Sequence, residues 1–323
     1  MSDGARGEMG DGARKAARDG ARKAAREAAR DEMGDGARSE IDDGARKAAR
    51  SGASDGARMR TRVITGAVYS ISLIALAMID TWTTVLLCSA LSALCAYEFY
   101  RMLRADAKLP NEVVGVLTSG AYPIVYMLWH FDGLLTLTVL SATVLLIWYV
   151  FSGGSRIGDV AVTLFGSCYT GLMLSSLVEI RGIMPAYWGG LLVVGVMLSV
   201  WGNDAFAFFF GSRFGRHKLA PHISPNKSWE GFAAGIVASV IAWCLIHFIP
   251  GLGLSWPWAI VAGLVCGIGA ILGDLVESRI KRSIGFKDSG HLLPGHGGFL
   301  DRCDSLLVVA ALSALIFRLA LAG

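Results

Sequence analysis

An all-α, polytopic membrane fold preceded by a polar tail is the architecture this sequence predicts, and three observations carry it. The chain of 323 residues is 54% hydrophobic and only 17% charged, whereas soluble domains carry about 25% charged residues. The apolar residues are unevenly spread: residues 1–59 hold almost no large apolar side chains, and from residue 60 onward nearly everything is apolar. The apolar part also breaks into runs close to the roughly 20 residues that a helix needs to cross a bilayer. The formal net charge of +4 is small, and nucleic acid is not expected as a partner.

The tail comes first in the chain. The tetrapeptide DGAR occurs six times, starting at Asp3, Asp11, Asp19, Asp35, Asp43 and Asp55, and several copies continue as KAAR. Ala, Arg and Lys favour helix, but a glycine in each eight-residue repeat costs about 1 kcal/mol every time. Ahead of Met59 only Met1, Met9, Met33 and Ile41 offer apolar bulk, so residues 1–59 are expected to be disordered or partly helical and to build no core. A helix resting on anionic lipid is the alternative, and the interleaved aspartates weaken it.

Nine spans are expected after the tail, near residues 62–79, 82–98, 113–129, 134–152, 160–178, 188–210, 230–249, 257–277 and 304–321. Alternate connections are basic: Arg101, Arg104 and Lys108; then Arg156; then Arg213, Arg216, Lys218 and Lys227; then Arg279, Lys281, Arg282, Lys287 and Arg302. The opposite connections offer only Arg181. The positive-inside rule therefore predicts basic loops in the cytoplasm, the N-terminus inside and the C-terminus outside. Trp129, Trp188, Trp256 and Trp258 fall at the predicted outer boundaries, where interfacial anchors belong. Five of the six cysteines lie within apolar runs and none forms a CxxC pair, so neither a disulfide framework nor a zinc site is expected.

Charge gathers at the cytoplasmic ends of the sixth to ninth spans. Asp204 lies inside the sixth span, ISPNKSWEG supplies Ser224, Lys227, Ser228 and Glu230, and GDLVES supplies Asp274 and Glu277. Three such carboxylates facing lipid at depth would together cost on the order of 8–10 kcal/mol. Asp274, Glu277, Ser278 and Lys281 follow the i, i+3, i+4, i+7 spacing of one helix face. Asp301, Asp304 and Ser305 share a face at the start of the ninth span, where acids also favour the helix dipole. Between these faces PGHGG, from Pro294 to Gly298, forms a turn that lets backbone approach a ligand closely. Carboxylates among lysines and arginines on glycine-rich connections suggest Mg²⁺ held with substrate phosphates. His296 reads equally as a base, a phosphate donor or a turn histidine satisfied by backbone.

The stretch SRIKRSIGFKDSGHLLPGHGGFLDRCD, from Ser278 to Asp304, closely resembles the signature of the phosphatidate cytidylyltransferases, or CDP-diacylglycerol synthases. Ser278, Lys281, Arg282, Lys287, Asp288, Gly290, Pro294, His296, Gly297, Gly298, Asp301, Arg302 and Asp304 fall in register. SPNKSWEG, NDAFAFFFGSRFGR and RTRVITG also look like segments of that family, so the resemblance covers residues 60–321 and leaves the tail outside. Cys303 departs from the pattern, which prefers a larger aliphatic side chain or Thr. The resemblance implies a membrane-embedded cytidylyltransferase domain over residues 60–323 that makes CDP-diacylglycerol and pyrophosphate from CTP and phosphatidic acid. It implies a multi-pass protein of the cell membrane with its site facing the cytoplasm, in contact with membrane lipids and forming a homodimer.

By the same resemblance Asp274 and Asp301 hold Mg²⁺, with K⁺ as companion ion. Lys227, Ser228, Lys281, Arg282, Lys287, Asp288, His296 and Arg302 are expected to act on the reacting phosphates. Asp204, Ser224, Glu230, Glu277, Ser278, Gly297, Gly298 and Asp304 are expected to contact substrate. The reaction brings two anionic phosphates together, and each like-charge pair at about 4 Å costs roughly 4 kcal/mol at an effective dielectric of 20. A metal and a basic rim offset that cost. Two rival readings are a CTP-dependent kinase of a lipid alcohol, which would release CDP, and a transporter. Charge gathered at one face, with no file across the membrane, speaks against transport.

Overall fold

The computed structural model describes residues 65–104, 109–286, 289–290 and 297–322. The repeat tail, Lys108, Lys287, Asp288, Pro294 and His296 lie outside the described residues. The apolar runs form eight helices: α1 (Thr65–Ile79), α2 (Thr81–Arg104), α3 (Glu112–Phe151), α4 (Ile157–Gly182), α5 (Ala186–Phe214), α6 (Trp229–His247), α7 (Trp256–Ser283) and α8 (Leu300–Leu321). All except α1 are long and apolar enough to cross a membrane. The protein is therefore a polytopic, helical membrane protein.

Among the described residues, seven helices qualify as spans by length and composition, and one of them, α3, covers two of the nine expected runs. Its 40 residues would reach about 60 Å if straight, twice the roughly 30 Å hydrocarbon core. They do not run straight, because His130 leaves the helical region at φ 49, ψ −137. Tyr122 Oη then lies 2.9 Å from Thr138 Oγ1, although a straight helix would separate residues 16 apart by about 24 Å. Thus α3 is a hairpin of two spans closed without a loop, matching the expected runs 113–129 and 134–152. Gly133 is required at the reversal, since a Cβ there would sit 2.7 Å from Trp129 Cβ. Large apolar side chains along both arms, among them Leu117, Leu135, Val150 and Phe151, are exposed, as lipid-facing residues are.

The all-helical expectation holds, with one short β-hairpin added to it. Residues after α5 form two short antiparallel strands, β1 (Lys218–Ala220) and β2 (Ser224–Ser228), pairing Lys218 with Ser228 and Ala220 with Ser224. This segment is too polar to enter the membrane, and its backbone groups find partners in a hairpin. The hairpin ends on the helix it precedes: Ser228 is the N-cap of α6, its Oγ accepting from Gly231 N at 3.2 Å.

Small residues set the helix spacing, as they do where no aqueous phase drives helices together. Gly231 and Gly235 of α6 rest against Ala207 O and Asn203 Oδ1 of α5, so the GFAAG face is used within the chain. Gly263 and Gly267 of α7 meet Val240 and Ile236 of α6 in the same way. α8 packs against α7, α4, α5 and α2 and buries about half of its residues, from Leu300 and Cys303 through Leu307 and Ala310 to Phe317. Its Ser305 donates to Ala270 O of α7 at 2.9 Å. This helix carries Asp301 in its first turn.

Candidate active site

The ends of α5 and α7, the strand hairpin and the starts of α6 and α8 converge on one polar region. Its open part is a cavity of about 530 Å³ lined by Asp204 and Phe208 of α5, Lys218 and Lys227 of the hairpin, Phe232 of α6, and Ile271 and Asp274 of α7. Lys227 Nζ lies 2.6 Å from Asp274 Oδ2, and Ser278 Oγ donates to Asp274 Oδ1 at 3.1 Å. Asp204 and Asp304 are both within electrostatic reach of Asp274. Two carboxylates, Asp204 and Asp274, thus line the cavity together with Lys227 of the hairpin.

Behind this cavity lies a second, more buried group. Lys281 Nζ sits between Glu277 Oε2 at 2.6 Å and Asp301 Oδ1 at 2.7 Å. Glu277 is 1% and Lys281 8% exposed, so each charge depends on the others for compensation. Asp301 is held further by backbone: Ser289 N donates to both its oxygens at 3.0 and 3.2 Å, and Gly298 N donates to Oδ2 at 2.9 Å. Gly297 takes φ 81, a left-handed value that favours glycine, and so turns the Gly298 amide onto the carboxylate.

The helix-face expectation for α7 is met in an unexpected way. Asp274 and Ser278 serve the cavity, while Glu277 and Lys281 serve Asp301. Arg282 lies outside both groups and donates to Ile223 O and Phe286 O, bracing the strand hairpin against the end of α7. Glu230 accepts from His217 Nδ1 at 2.7 Å and from His217 N, which places it on the outer side of the hairpin and away from the cavity. Ser224 closes the strand pairing with Ala220. Of the expected site residues, the structure brings together Asp204, Lys227, Ser228 and Asp274 at the cavity, and Glu277, Lys281, Gly298 and Asp301 behind it. Lys287, Asp288 and His296 are outside the described residues.

Residues 60–320 match the model of the cytidylyltransferase family. The chain belongs to that family. The likeness extends through whole proteins: the phosphatidate cytidylyltransferase of Bacillus subtilis is 31% identical over 268 residues, covering 81% of this chain and 98% of the relative. That of Mycobacterium bovis is 31% identical over 284 residues, covering 82% and 90%. The cytidylyltransferase match starts where the repeat tail ends.

Two polar residues of this cytidylyltransferase escaped the sequence reading. Asn203, fully buried on α5, donates from Nδ2 to Gly267 O of α7 at 3.1 Å. Glu98, 2% exposed on α2, accepts at Oε2 from Leu300 N at 2.9 Å and from Ser289 Oγ at 3.3 Å. A signal for Glu98 existed, because it is an acid at the end of the expected span 82–98 and within the helix that continues to Arg104, and an acid in such a helix marks function by default.

Proposed function

We propose that this protein is a phosphatidate cytidylyltransferase, carried by one observation: a family-matched chain assembles Lys227–Asp274 and Lys281–Asp301 ion pairs beside a cavity open enough for a nucleotide. A phosphate oxygen of phosphatidic acid attacks the α-phosphorus of CTP. The bond from that phosphorus to the β-phosphate breaks, and pyrophosphate leaves as CDP-diacylglycerol forms. The nucleophile is already ionised near neutral pH, so no general base is needed. What the chain must supply is alignment and compensation of negative charge. Lys227, at the cavity rim, and Lys218 opposite it suit phosphate oxygens. Phe208 and Phe232 give the same cavity an apolar wall, suited to the glycerol and first acyl carbons of a lipid.

The cavity offers the donor type that suits a hard divalent cation such as Mg²⁺, the carboxylate oxygens of Asp204 and Asp274. Among the described residues no three acidic, histidine or cysteine side chains stand close enough to hold an ion as they lie, so substrate phosphates would have to complete its shell. When bound, such an ion would polarise the α-phosphate and stabilise the departing pyrophosphate. Asp274 lies at the cavity with its oxygens engaged by Lys227 and Ser278, and both oxygens of Asp301 likewise accept hydrogen bonds. A ligand role for either carboxylate therefore requires a lysine to yield an oxygen, Lys227 for Asp274 and Lys281 for Asp301. A companion K⁺, a homodimer, a cell-membrane location and a cytoplasmic site complete the reading. Purified protein given CTP, phosphatidic acid and Mg²⁺ is expected to release CDP-diacylglycerol and pyrophosphate. Release of CDP with a phosphorylated lipid alcohol instead would establish the kinase.

A further inference from the structure

We propose that Glu98 is a positioning residue of the cytidylyltransferase reaction, acting on Asp301 from a helix outside the signature. The first turn of a helix leaves its N–H groups without partners inside the helix, and the residue before α8, Phe299, offers no side-chain cap. Glu98 fills that role from α2, accepting Leu300 N at 2.9 Å. The same oxygen accepts Ser289 Oγ at 3.3 Å. Ser289 and Leu300 bracket the glycine-rich stretch of the signature, so one carboxylate clasps both of its ends.

The clasp reaches Asp301 through Ser289. The Ser289 hydroxyl, oriented by donating to Glu98, accepts from Asp301 N at 3.3 Å, and the Ser289 amide donates to the Asp301 carboxylate. Asp301 in turn holds Lys281 at 2.7 Å. A continuous chain of contacts therefore runs from α2 through the signature to α7.

Two signature glycines are shaped around this carboxylate. A Cβ on Gly290 would sit 2.5 Å from Glu98 Oε1, and a Cβ on Gly298 would collide with Glu98 Oε2 and Ser289 Oγ. Close backbone approach is what glycine permits, and here the approaching partner is a buried acid nearly two hundred residues upstream. Gly298 is also the residue whose amide binds Asp301, so the Glu98 contact sets the distance at which that amide is presented.

This inference rests on the activity proposed above, and its test separates the two. Glu98→Ala, Glu98→Gln and Ser289→Ala would be purified as full chains in detergent. For each, kcat and KM for CTP would be measured alongside amide hydrogen exchange over 289–300. A displacement of about 1 Å in a reacting group costs roughly 10²-fold in rate. Glu98→Ala is accordingly expected to lower kcat about 10²-fold with KM for CTP within about 3-fold, and to speed exchange locally at Ser289 and Leu300. Ser289→Ala should show a smaller fall of the same kind. Glu98→Gln keeps an acceptor oxygen and should restore most of the turnover. The proposal is overturned if Glu98→Ala keeps kcat within about 3-fold, if exchange accelerates throughout the helices, or if Glu98→Gln is as impaired as the alanine variant. Wild-type protein inactive on CTP and phosphatidic acid would overturn the activity, while local exchange at 289–300 would still report on the clasp.

Discussion

Asp274 and Asp301 lie 27 positions apart, yet each meets a lysine at the same polar region, Lys227 for one and Lys281 for the other. If both carboxylates serve the metal, replacing either with Asn removes a negative ligand and leaves size and hydrogen bonding nearly unchanged. Turnover should fall at least about 10³-fold, equivalent to roughly 4 kcal/mol, in Asp274→Asn and in Asp301→Asn. The double variant should be little worse than either, because residues acting as a unit are not additive. Near-normal Mg²⁺-dependent turnover in Asp301→Asn would remove it from the metal site. Lys281 makes a separate prediction. Lys281→Met leaves Glu277 and Asp301 facing each other in a buried setting, which should destabilise the fold by about 3–5 kcal/mol. Adding Glu277→Gln should recover part of that stability and none of the turnover, as thermal unfolding and product assays on the same samples would show. The charge cluster itself was legible in the sequence because the acids and bases there repeat at helical spacing. Their partners were not. Pairing Lys227 with Asp274, or Glu98 with Leu300, depends on tertiary contacts between residues far apart in the chain, which no local pattern encodes.

Among the elements, apolar run length located every described helix, since a membrane span is long and its flanks are polar. What run length left open was how two runs join. The runs 113–129 and 134–152 are separated by four residues, and the chain joins them by breaking the helix at one residue, His130. A positive φ costs a non-glycine residue about 1–2 kcal/mol, and the ring recovers some of that by packing on Tyr126 at 5.5 Å. His130→Gly is therefore expected to leave thermal stability nearly unchanged. Proline cannot adopt this φ, and His130→Pro should cost about 3 kcal/mol or more. Equal melting temperatures for the two variants would show that the reversal does not depend on this backbone conformation. The strand hairpin was hidden for a different reason. Its residues read as polar loop, and only the closure of Lys227 onto Asp274 across the cavity gives the short ladder a purpose.

At the scale of the molecule, the nine spans expected from the sequence would place the two ends of the membrane part on opposite sides, and the basic loops predict the site on the cytoplasmic side. Single cysteines introduced at Arg216 and Phe286 are expected to label with an impermeant reagent only from the cytoplasm, and one at Gly251 only from outside. The reverse pattern would put the cavity out of reach of cellular CTP. The clasp between Glu98 and Leu300 has a further consequence, for the order of synthesis. Its partners are 202 residues apart, so a ribosome adding about 5–20 residues per second delivers Leu300 roughly 10–40 seconds after Glu98. Throughout that interval α2 sits in the bilayer with an acid whose partners do not yet exist, a costly state for an intramembrane carboxylate. A chain that stalls before its last helix keeps that unpartnered acid, together with a Glu277–Lys281 pair that lacks Asp301.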